Sequence, residues 1–584
     1  MQTSSRLNLI SLLFTLFAFL VVVRLFYWQA IASEELSAFS FSQRETIVEV
    51  PALRGQILSS DSLPLVGNSD AFLLFANLSK LEKEPQKIAE DLVPILFEET
   101  REIKQATDEA KIKKLKKEAF HKQEEKLLDQ LSSDKLSWVA LKHKISRDQR
   151  NQIEALDIEG LGFELEQKRF YPEASMAAHL LGFVGSDSIG RDTGYFGLEG
   201  YYNLELSGRP GVLKEEQDAA KKPILIGKFF SQEKRDGRSL VLHLDRAIQF
   251  FVRESLQKAI EKYGADRGSV VVLNPGTGAI LAMSSLPAYL PDKFSQYEEE
   301  VFKNPVVADL YEPGSTFKVL TMAVALEEKV VEPETKCDIC DKPYRIDKYT
   351  IKTWNDKYHP DSTMTEVLVN SDNVGMVYVG QSLGIDKFVE YLKRFGIDKK
   401  TGIDLQEEVV PILRPRFSQV DLATAAFGQG ISVTPIQMAA AVSAIANKGK
   451  MMQPQVVSKI IDEDREVKIK PKQIIQPISE KTAQTLTDMM VASVEHGDAK
   501  WAKLVGYKIA GKTGTAQVPV AGHYDEERTI ASFVGFAPAD DPKFLILTKL
   551  DNPSSSPWAS ETAAPLFFEI AKKMFLYYGI PPQN

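Results

Sequence analysis

The sequence predicts an α+β protein with one N-terminal membrane helix, and three observations carry the prediction. A single long apolar run lies near the amino terminus. A glycine-punctuated segment follows it, interrupted by a stretch rich in Lys and Glu. From Arg238 onward, strand-like runs open and close a helix-forming middle, the pattern of an antiparallel sheet completed by both ends of a domain. At 584 residues the chain exceeds what one hydrophobic core organises, so two or more domains are expected.

The first element runs from Leu7 to Val23, apolar apart from Asn8, Ser11 and Thr15, and continues past Arg24 through Leu25 to Ala30. About 20 apolar residues cross a bilayer core. Arg24 can snorkel to the headgroups while Tyr27 and Trp28 sit at interface depth. The run is longer than the apolar stretch of a cleaved leader and no small-x-small site follows it, so residues 7–30 are read as a retained transmembrane anchor. Arg6 before it, with Glu34 and Glu35 after it, favours the N-terminus inside. Residues 1–6 are then a cytoplasmic tail and the remainder is extracytoplasmic.

Lys and Arg number 71 against 80 Asp and Glu, a formal charge of -9. No basic patch with interleaved aromatics occurs, which argues against nucleic acid. The two cysteines, Cys337 and Cys340, are spaced CxxC. With no second pair and no clustered histidines they do not read as a metal site. They are read as two thiols at a surface turn, with a small local disulfide as the alternative and no redox role. No cofactor is expected.

Beyond the anchor, Gln43 to Pro51 alternates as a strand that Leu53 to Leu58 continues. Lys80 to Asp134 lacks glycine and repeats apolar residues at helical spacing, as at Ile88, Leu92 and Leu96, so a solvated helical hairpin is expected. Glycines then punctuate Leu161 to Gly211, around Arg169-Phe170-Tyr171-Pro172 and His179 to Gly185, as turns among short strands. Polar Lys214 to Arg238 marks a boundary, giving one domain over 43–225 and a second over 238–579. In the second, Ser269 to Leu273 and Ala279 to Ser284 flank Asn274-Pro275-Gly276-Thr277-Gly278 as a hairpin. Thr434-Pro435-Ile436-Gln437 is a capping box opening a helix over Met438 to Asn447. Gly511 to Val518, Thr529 to Phe536 and Phe544 to Leu550 are three further strands, and Thr562 to Tyr577 is a closing amphipathic helix.

Three short strings lie in order within this second part: Ser315-Thr316-Phe317-Lys318, Ser371-Asp372-Asn373 and Lys512-Thr513-Gly514-Thr515. Taken singly, the first is an N-cap serine with an exposed lysine and the second a turn or helix cap. In combination they specify a serine acyl-transfer site. Helix-forming Val319 to Glu328 puts Ser315 at a helix N-terminus, where free N–H groups and the dipole favour a developing negative charge. Lys318 falls one turn along on the same face. A serine hydroxyl needs a base beside it, and Lys318 serves when burial and a second cation keep it partly neutral. Lys512 is the candidate second cation. Ser371 is placed to relay a proton between Lys318 and a leaving amine, and the Asn373 amide to hold a peptide group. Lys512, Thr513 and Thr515 offer a charge and hydroxyls to a carboxylate, Gly514 allows close backbone approach to a ligand, and the N–H groups of Ser315 and Thr515 form the oxyanion hole.

Across nearly its whole length the chain resembles the class B penicillin-binding proteins, and in particular their division-specific, FtsI-like branch. The resemblance rests on the three strings and on Thr365-Glu366-Val367-Leu368, Asn373 to Met376, Thr401 to Leu405, Phe427 to Pro435 and Ala563 to Phe567. It implies an elongated mixed pedestal domain ahead of a transpeptidase domain whose five-stranded antiparallel sheet is flanked by helices. It also implies a membrane-anchored D,D-transpeptidase: Ser315 attacks the D-Ala-D-Ala carbonyl of a peptidoglycan stem peptide, D-Ala leaves, and an amine of a neighbouring stem takes the acyl group. β-Lactams would acylate the same serine, and a SEDS-type glycosyltransferase of the FtsW kind would supply the glycan strands. The sequence departs from the family at Ser59, Ser60 and Ser62, where an Asp-Arg pair and a glycine are usual, and at Trp558-Ala559-Ser560, where relatives carry two glycines near the rim of the site.

Competing readings are a side-wall transpeptidase, a D,D-carboxypeptidase using water as acceptor, a β-lactamase, and a non-catalytic β-lactam-binding sensor or scaffold. A β-lactamase usually lacks a pedestal and anchor. A sensor needs an output domain, for which six residues ahead of the anchor leave no room.

Overall fold

The computed structural model describes residues 2–36, 45–133, 136–173, 176–188, 190–216, 230–463, 465–520 and 523–582. Gln43, Arg44, Asp134 and residues 217–229 of the expected boundary lie outside these. The chain forms two compact units, Met1–Arg54 with Ser207–Gly237, and Gly55–Leu206 with Arg238–Asn584.

In the first unit, helix α1 (Gln2–Phe26) runs into one wider turn, Tyr27–Ile31, and its apolar side chains from Leu7 onward are exposed all round. A helix apolar on every face and covered by no protein is suited to lipid. Arg24 lies over the rings of Trp28 and Tyr27, at 4.8 and 5.6 Å from their centroids. Strands Glu45–Val50, Gly211–Glu216 and Phe230–Gln232 pair in that order as an antiparallel sheet.

The expected continuation of the first strand through Leu58 is corrected: it stops at Val50, and β1 (Ile57–Leu58) belongs to another sheet in the second unit. Pro51 has no N–H to offer a ladder, and Gly55 N–H donates instead to Leu206 C=O at 2.8 Å. Strands β1, β2 (Pro64–Asn77), β3 (Trp138–Ile145) and β4 (Leu161–Phe170) are built around β2, which pairs antiparallel with the other three. Between β1 and β2, buried Ser59 fixes the turn by donating to Asp61 and to Leu63 C=O, and Ser62 holds a left-handed φ of 63°. The serines that depart from the family pattern therefore build their own turn. Between β2 and β3, helices α2 (Pro85–Leu96) and α3 (Glu109–Leu131) pack together as the expected hairpin, with the short helix Arg101–Gln105 between them. α2 buries Ile88, Leu92 and Leu96 against Phe72 and Leu74 of β2, whereas among the described side chains α3 buries only Leu127 and Leu131. Its Lys/Glu run is a solvated face.

Strand β5 (Ser239–Leu242) runs parallel to β1 and begins the second half of this unit. Helix α4 (Arg246–Tyr263) leads to the hairpin β6 (Arg267–Leu273) and β7 (Ile280–Leu286). Catalytic-motif helices follow: α5 (Lys318–Glu327), α6 (Met364–Val369) and α7 (Asn373–Leu383). Helix α8 (Pro435–Ala446) opens on the expected capping box, both of whose hydrogen bonds are made, and all its residues are buried. Strand β8 (Val457–Asp462) pairs with β5 and β9 (Arg465–Lys468) with β8, helix α9 (Glu480–His496) follows, and β10 (Ala510–Val520), β11 (His523–Ala537), β12 (Phe544–Asp551) and helix α10 (Ala563–Tyr577) complete the described elements.

The principal sheet has the order β7-β6-β12-β11-β10 and is antiparallel throughout, so strands from both ends of this half lie side by side. Alternation along each strand gives it two faces. Ile248, Val252 and Leu256 of α4 meet Phe567, Ile570 and Met574 of α10 on one of them, and α5 and α8 share the other, larger core.

The reading of Cys337 and Cys340 as surface thiols is also corrected, because they form a disulfide and both are buried. Cys337 N–H donates to Ser362 C=O at 2.9 Å and Lys336 pairs with Thr363, so residues distant in sequence fold the turn into the core.

Candidate active site

Residues Gly314–Phe317 form a single 3₁₀ turn that passes without a break into α5. Gly314, at φ 54°, donates its N–H to Gly428 C=O at 3.0 Å. Gly428 itself sits at φ 84°, and a Cβ there would lie 2.1 Å from the Gly314 carbonyl oxygen. The Phe427-Gly428-Gln429-Gly430 loop thus grips the turn by backbone contact that only glycine permits. Thr316 Oγ1 closes the turn on Pro313 C=O at 2.7 Å. Ser315 is half-buried on the wall of a cleft, and Lys318, one turn along, is fully buried.

Lys318 Nζ donates to Ser371 C=O at 2.6 Å and to Asn373 Oδ1 at 2.8 Å, with Ser371 Oγ at 3.4 Å. The local fold explains this convergence. α6 ends just before Ser371, which takes a left-handed φ of 52°, and the Asp372 carboxylate then caps α7 by accepting from Val374 and Gly375 N–H. The reversal turns both oxygens of Ser371 toward one point. From the opposite side, Lys512 Nζ donates to the same Ser371 Oγ at 3.0 Å and to Thr513 Oγ1 at 3.2 Å.

One hydroxyl therefore stands between two buried lysines. Burial, and then the charge of Lys512, hold Lys318 well below the usual lysine range, with Asp372 and Asp498 partly opposing. Burial also pushes Lys512 down to about 8, against the pull of Asp498. A lysine so placed can lose its proton at neutral pH, which is what a base beside Ser315 requires.

Strand β10 supplies the third side. Its alternation turns Thr513 and Thr515 to the cleft, whereas Lys512 lies behind Thr513 and donates to the Ser371 and Thr513 hydroxyls and to Thr513 C=O. Thr515 Oγ1 accepts from Ala559 N–H at 3.0 Å, tying the strand to the segment before α10. Gly514 was expected to allow approach to a ligand; the atom it admits is the Pro313 carbonyl oxygen, 2.8 Å from where a Cβ would stand. Its absent side chain lets β10 close on the turn that carries Ser315.

The structure thus gathers every sequence-predicted site residue around one cleft, with Trp558 and Ser560 at its edge as expected. It adds Trp354, Phe427, Gln429 and Asp498. Trp354 packs on Trp558 with ring centroids 5.0 Å apart, and the Lys352 carbonyl beside it accepts from Asn373 Nδ2 at 2.9 Å. Asp498 follows α9 and carried no motif of its own. Among the described residues no group of three or more His, Cys, Asp or Glu side chains is arranged to hold a metal ion.

An antiparallel sheet of five strands with a serine and a buried lysine on one helical turn defines a serine acyl-transferase domain. Residues 268–572 match the penicillin-binding protein transpeptidase domain, and residues 49–242 the penicillin-binding protein dimerisation domain. The chain is 34% identical to stage V sporulation protein D of Bacillus subtilis over 98% of its own length and 86% of that protein. It is 30% identical to peptidoglycan D,D-transpeptidase FtsI of Escherichia coli over 78% of its length and 76% of that protein. Among solved structures, penicillin-binding protein 3 of Mycobacterium tuberculosis in complex with aztreonam superposes with a TM-score of 0.67 at 25% identity, covering 92% of this chain and 98% of that one. The chain belongs to the class B penicillin-binding proteins, and its C-terminal domain is a transpeptidase.

Proposed function

We propose that the protein is a membrane-anchored peptidoglycan D,D-transpeptidase that forms its acyl-enzyme on Ser315. The observation that carries this reading is the buried Lys318 ammonium, held by Ser371 and Asn373 at the cleft that Ser315 lines and stripped of part of its affinity for a proton. In its neutral form Lys318 takes the proton of Ser315 Oγ, which attacks the D-Ala-D-Ala carbonyl. The oxyanion falls to the N–H groups of Ser315 and Thr515 at the start of α5 and on β10. Ser371 Oγ, bonded to Lys512 and within reach of Lys318, passes a proton to the departing D-Ala amine. One Asn373 Nδ2 hydrogen is used by Lys352 C=O, and the second serves the substrate's peptide carbonyl. Thr513 and Thr515 take the terminal carboxylate, with the charge of Lys512 behind them. An acceptor amine then attacks the ester and regenerates Ser315. β-Lactams enter the same first step.

Septal rather than side-wall synthesis, with the N-terminus of α1 inside and an FtsW-like glycosyltransferase as partner, is supported by the motif resemblance to the FtsI-like branch. Depleting the protein in its own cells tests that assignment: filaments are expected, and swollen round cells would point to the side wall. The chemistry is tested by acylation of the full chain in detergent with a fluorescent penicillin, followed by intact mass over time. A long-lived adduct that Ser315→Ala abolishes is expected, and rapid turnover of the adduct would make the protein a hydrolase.

A further inference from the structure

Among the described residues lining the cleft, Asp498 is the only one with a charged side chain, since Lys318 and Lys512 lie behind the wall. Its position is built by the backbone. α9 ends at His496, and a Cβ on Gly497 would lie 2.4 Å from Ser493 C=O and 3.0 Å from Val369 C=O. This close approach sets the end of α9 against the turn that leads to Ser371. Asp498 is thereby delivered to the cleft that Ser315, Ser371 and Asn373 also line. Among the described residues its carboxylate forms no ion pair within 4.0 Å, although Lys512, Lys318 and Lys500 act on it from farther away and burial raises its proton affinity. The neighbouring Asp372 is different: it is buried behind the cleft lining and gives Oδ1 to the cap of α7, while its Oδ2 has no hydrogen-bond partner among the described residues.

We propose that Asp498 is a specificity-determining residue that receives the ammonium group of the acceptor in the second half of the reaction, an inference that rests on the transpeptidase reading above. The chemistry of the step calls for such a group. Donor and acceptor present opposite charges to one cleft: the donor ends in a carboxylate, met by Thr513, Thr515 and the field of Lys512, and the acceptor arrives as a primary ammonium. Once D-Ala has left, Asp498 is the one acidic side chain among the described residues lining the cleft that holds the Ser315 ester. A carboxylate there draws the ammonium in, orients it by a charge-assisted hydrogen bond and sets it against water as the competing nucleophile. Asp498 takes one proton from the ammonium and later releases it to solvent. The free amine so formed attacks the ester carbonyl and passes a second proton to Lys318 through Ser371, its nitrogen forms the new amide bond, and the Ser315 C–O bond breaks as Oγ takes that second proton back. Water lacks the positive charge and gains nothing from Asp498.

The test is the partition of the acyl-enzyme between aminolysis and hydrolysis. Full-length protein in detergent is given a D-alanyl thioester donor with glycinamide, largely an ammonium near neutral pH, and separately with hydroxylamine, which is uncharged there. For Asp498→Asn the aminolysis-to-hydrolysis ratio with glycinamide should fall about tenfold, the scale of one charge-assisted hydrogen bond, while the ratio with hydroxylamine stays near that of the parent. Both ratios are taken from one acyl-enzyme, so a change in its rate of formation does not enter them. An unchanged glycinamide ratio, or an equal fall with both nucleophiles, overturns the inference and leaves the transpeptidase reading standing. Absence of any Ser315 adduct in the parent overturns both.

Discussion

Lys318 and Lys512 share the hydroxyl of Ser371, and among the described residues neither is ion-paired within 4.0 Å. Burying an ammonium without a counter-charge is costly, and the group yields by shedding its proton more readily. For Lys512, lowered from 10.5 to about 8, the consequence for stability has a definite sign. Between those values the unfolded chain binds a proton that the folded chain does not. The Lys512 contribution to stability is therefore most favourable above pH 10.5, declines as pH falls through the window, and below about 8 is a penalty on the order of 3 kcal/mol. Lys512→Met should accordingly raise the thermal midpoint at pH 7 while lowering penicillin acylation at least 100-fold, as calorimetry and gel labelling would show. The same shift predicts how acylation depends on pH. A carboxylate-bearing β-lactam needs Lys512 charged, so its acylation rate should fall above about pH 8, and that limb should move upward in Lys512→Arg. If the arginine variant keeps both the activity and the limb of the parent, the charge of Lys512 is not what the limb reports.

Elements, rather than side chains, place Ser315. The turn bearing Ser315 is clasped between the Gly428 loop and β10, each at distances that exclude a Cβ. Gly428→Ala would need a left-handed alanine and would drive its methyl into the Gly314 carbonyl. A destabilisation of about 1–3 kcal/mol is expected, together with slower acylation, because the displaced carbonyl adjoins Ser315. A variant that loses stability but acylates at the parent rate would show that the turn holds its shape without this clasp. Such contacts explain what the sequence made legible and what it did not. The capping box at Thr434, the β6–β7 hairpin and the start of α5 are set by neighbours within a few residues, so local pattern sufficed. The three strings located the site because each supplies its own turn, cap or strand. Cys337 and Cys340 misled because their burial depends on Ser362 and Thr363. Asp498 gave no sign because it reaches the cleft only through the packing of Gly497 on Val369, two elements more than 100 residues apart in the chain.

At the scale of the whole molecule, the segment matching the dimerisation domain and the one matching the transpeptidase domain are joined by the β5–β8 pairing, by the Tyr202–Asp404 hydrogen bond and at one tight turn. Phe196 and Gly197, both at positive φ, present successive N–H groups, which Gln406 Oε1 and Glu407 Oε1 accept at 2.7 and 2.9 Å. The Glu407 side chain is enclosed, its Oε2 has no hydrogen-bond partner among the described residues, and burial pushes it up to about 7 from 4.5. A carboxyl raised in the folded state stabilises fully below the unfolded value and loses that contribution as pH climbs through 7. Near the turn, burial also raises the Asp404 carboxyl, which acts in the same sense and is common to both proteins compared below. Tyr289 is pushed further from neutrality, and buried His179, lowered to about 4, acts in the opposite sense and only below its unfolded value of 6.5. Acidifying from pH 8 to 6.5 should therefore strengthen the parent relative to Glu407→Gln by about 1 kcal/mol, read as the difference between their denaturation profiles so that shared groups cancel. Parallel profiles across that range would mean that Glu407 titrates as an exposed carboxylate and that the tie between the two segments does not depend on its protonation. A difference of the expected sign would make the junction tighter on the acid side of neutrality, with Ser315, Lys318 and Asp498 all carried on the transpeptidase side of it.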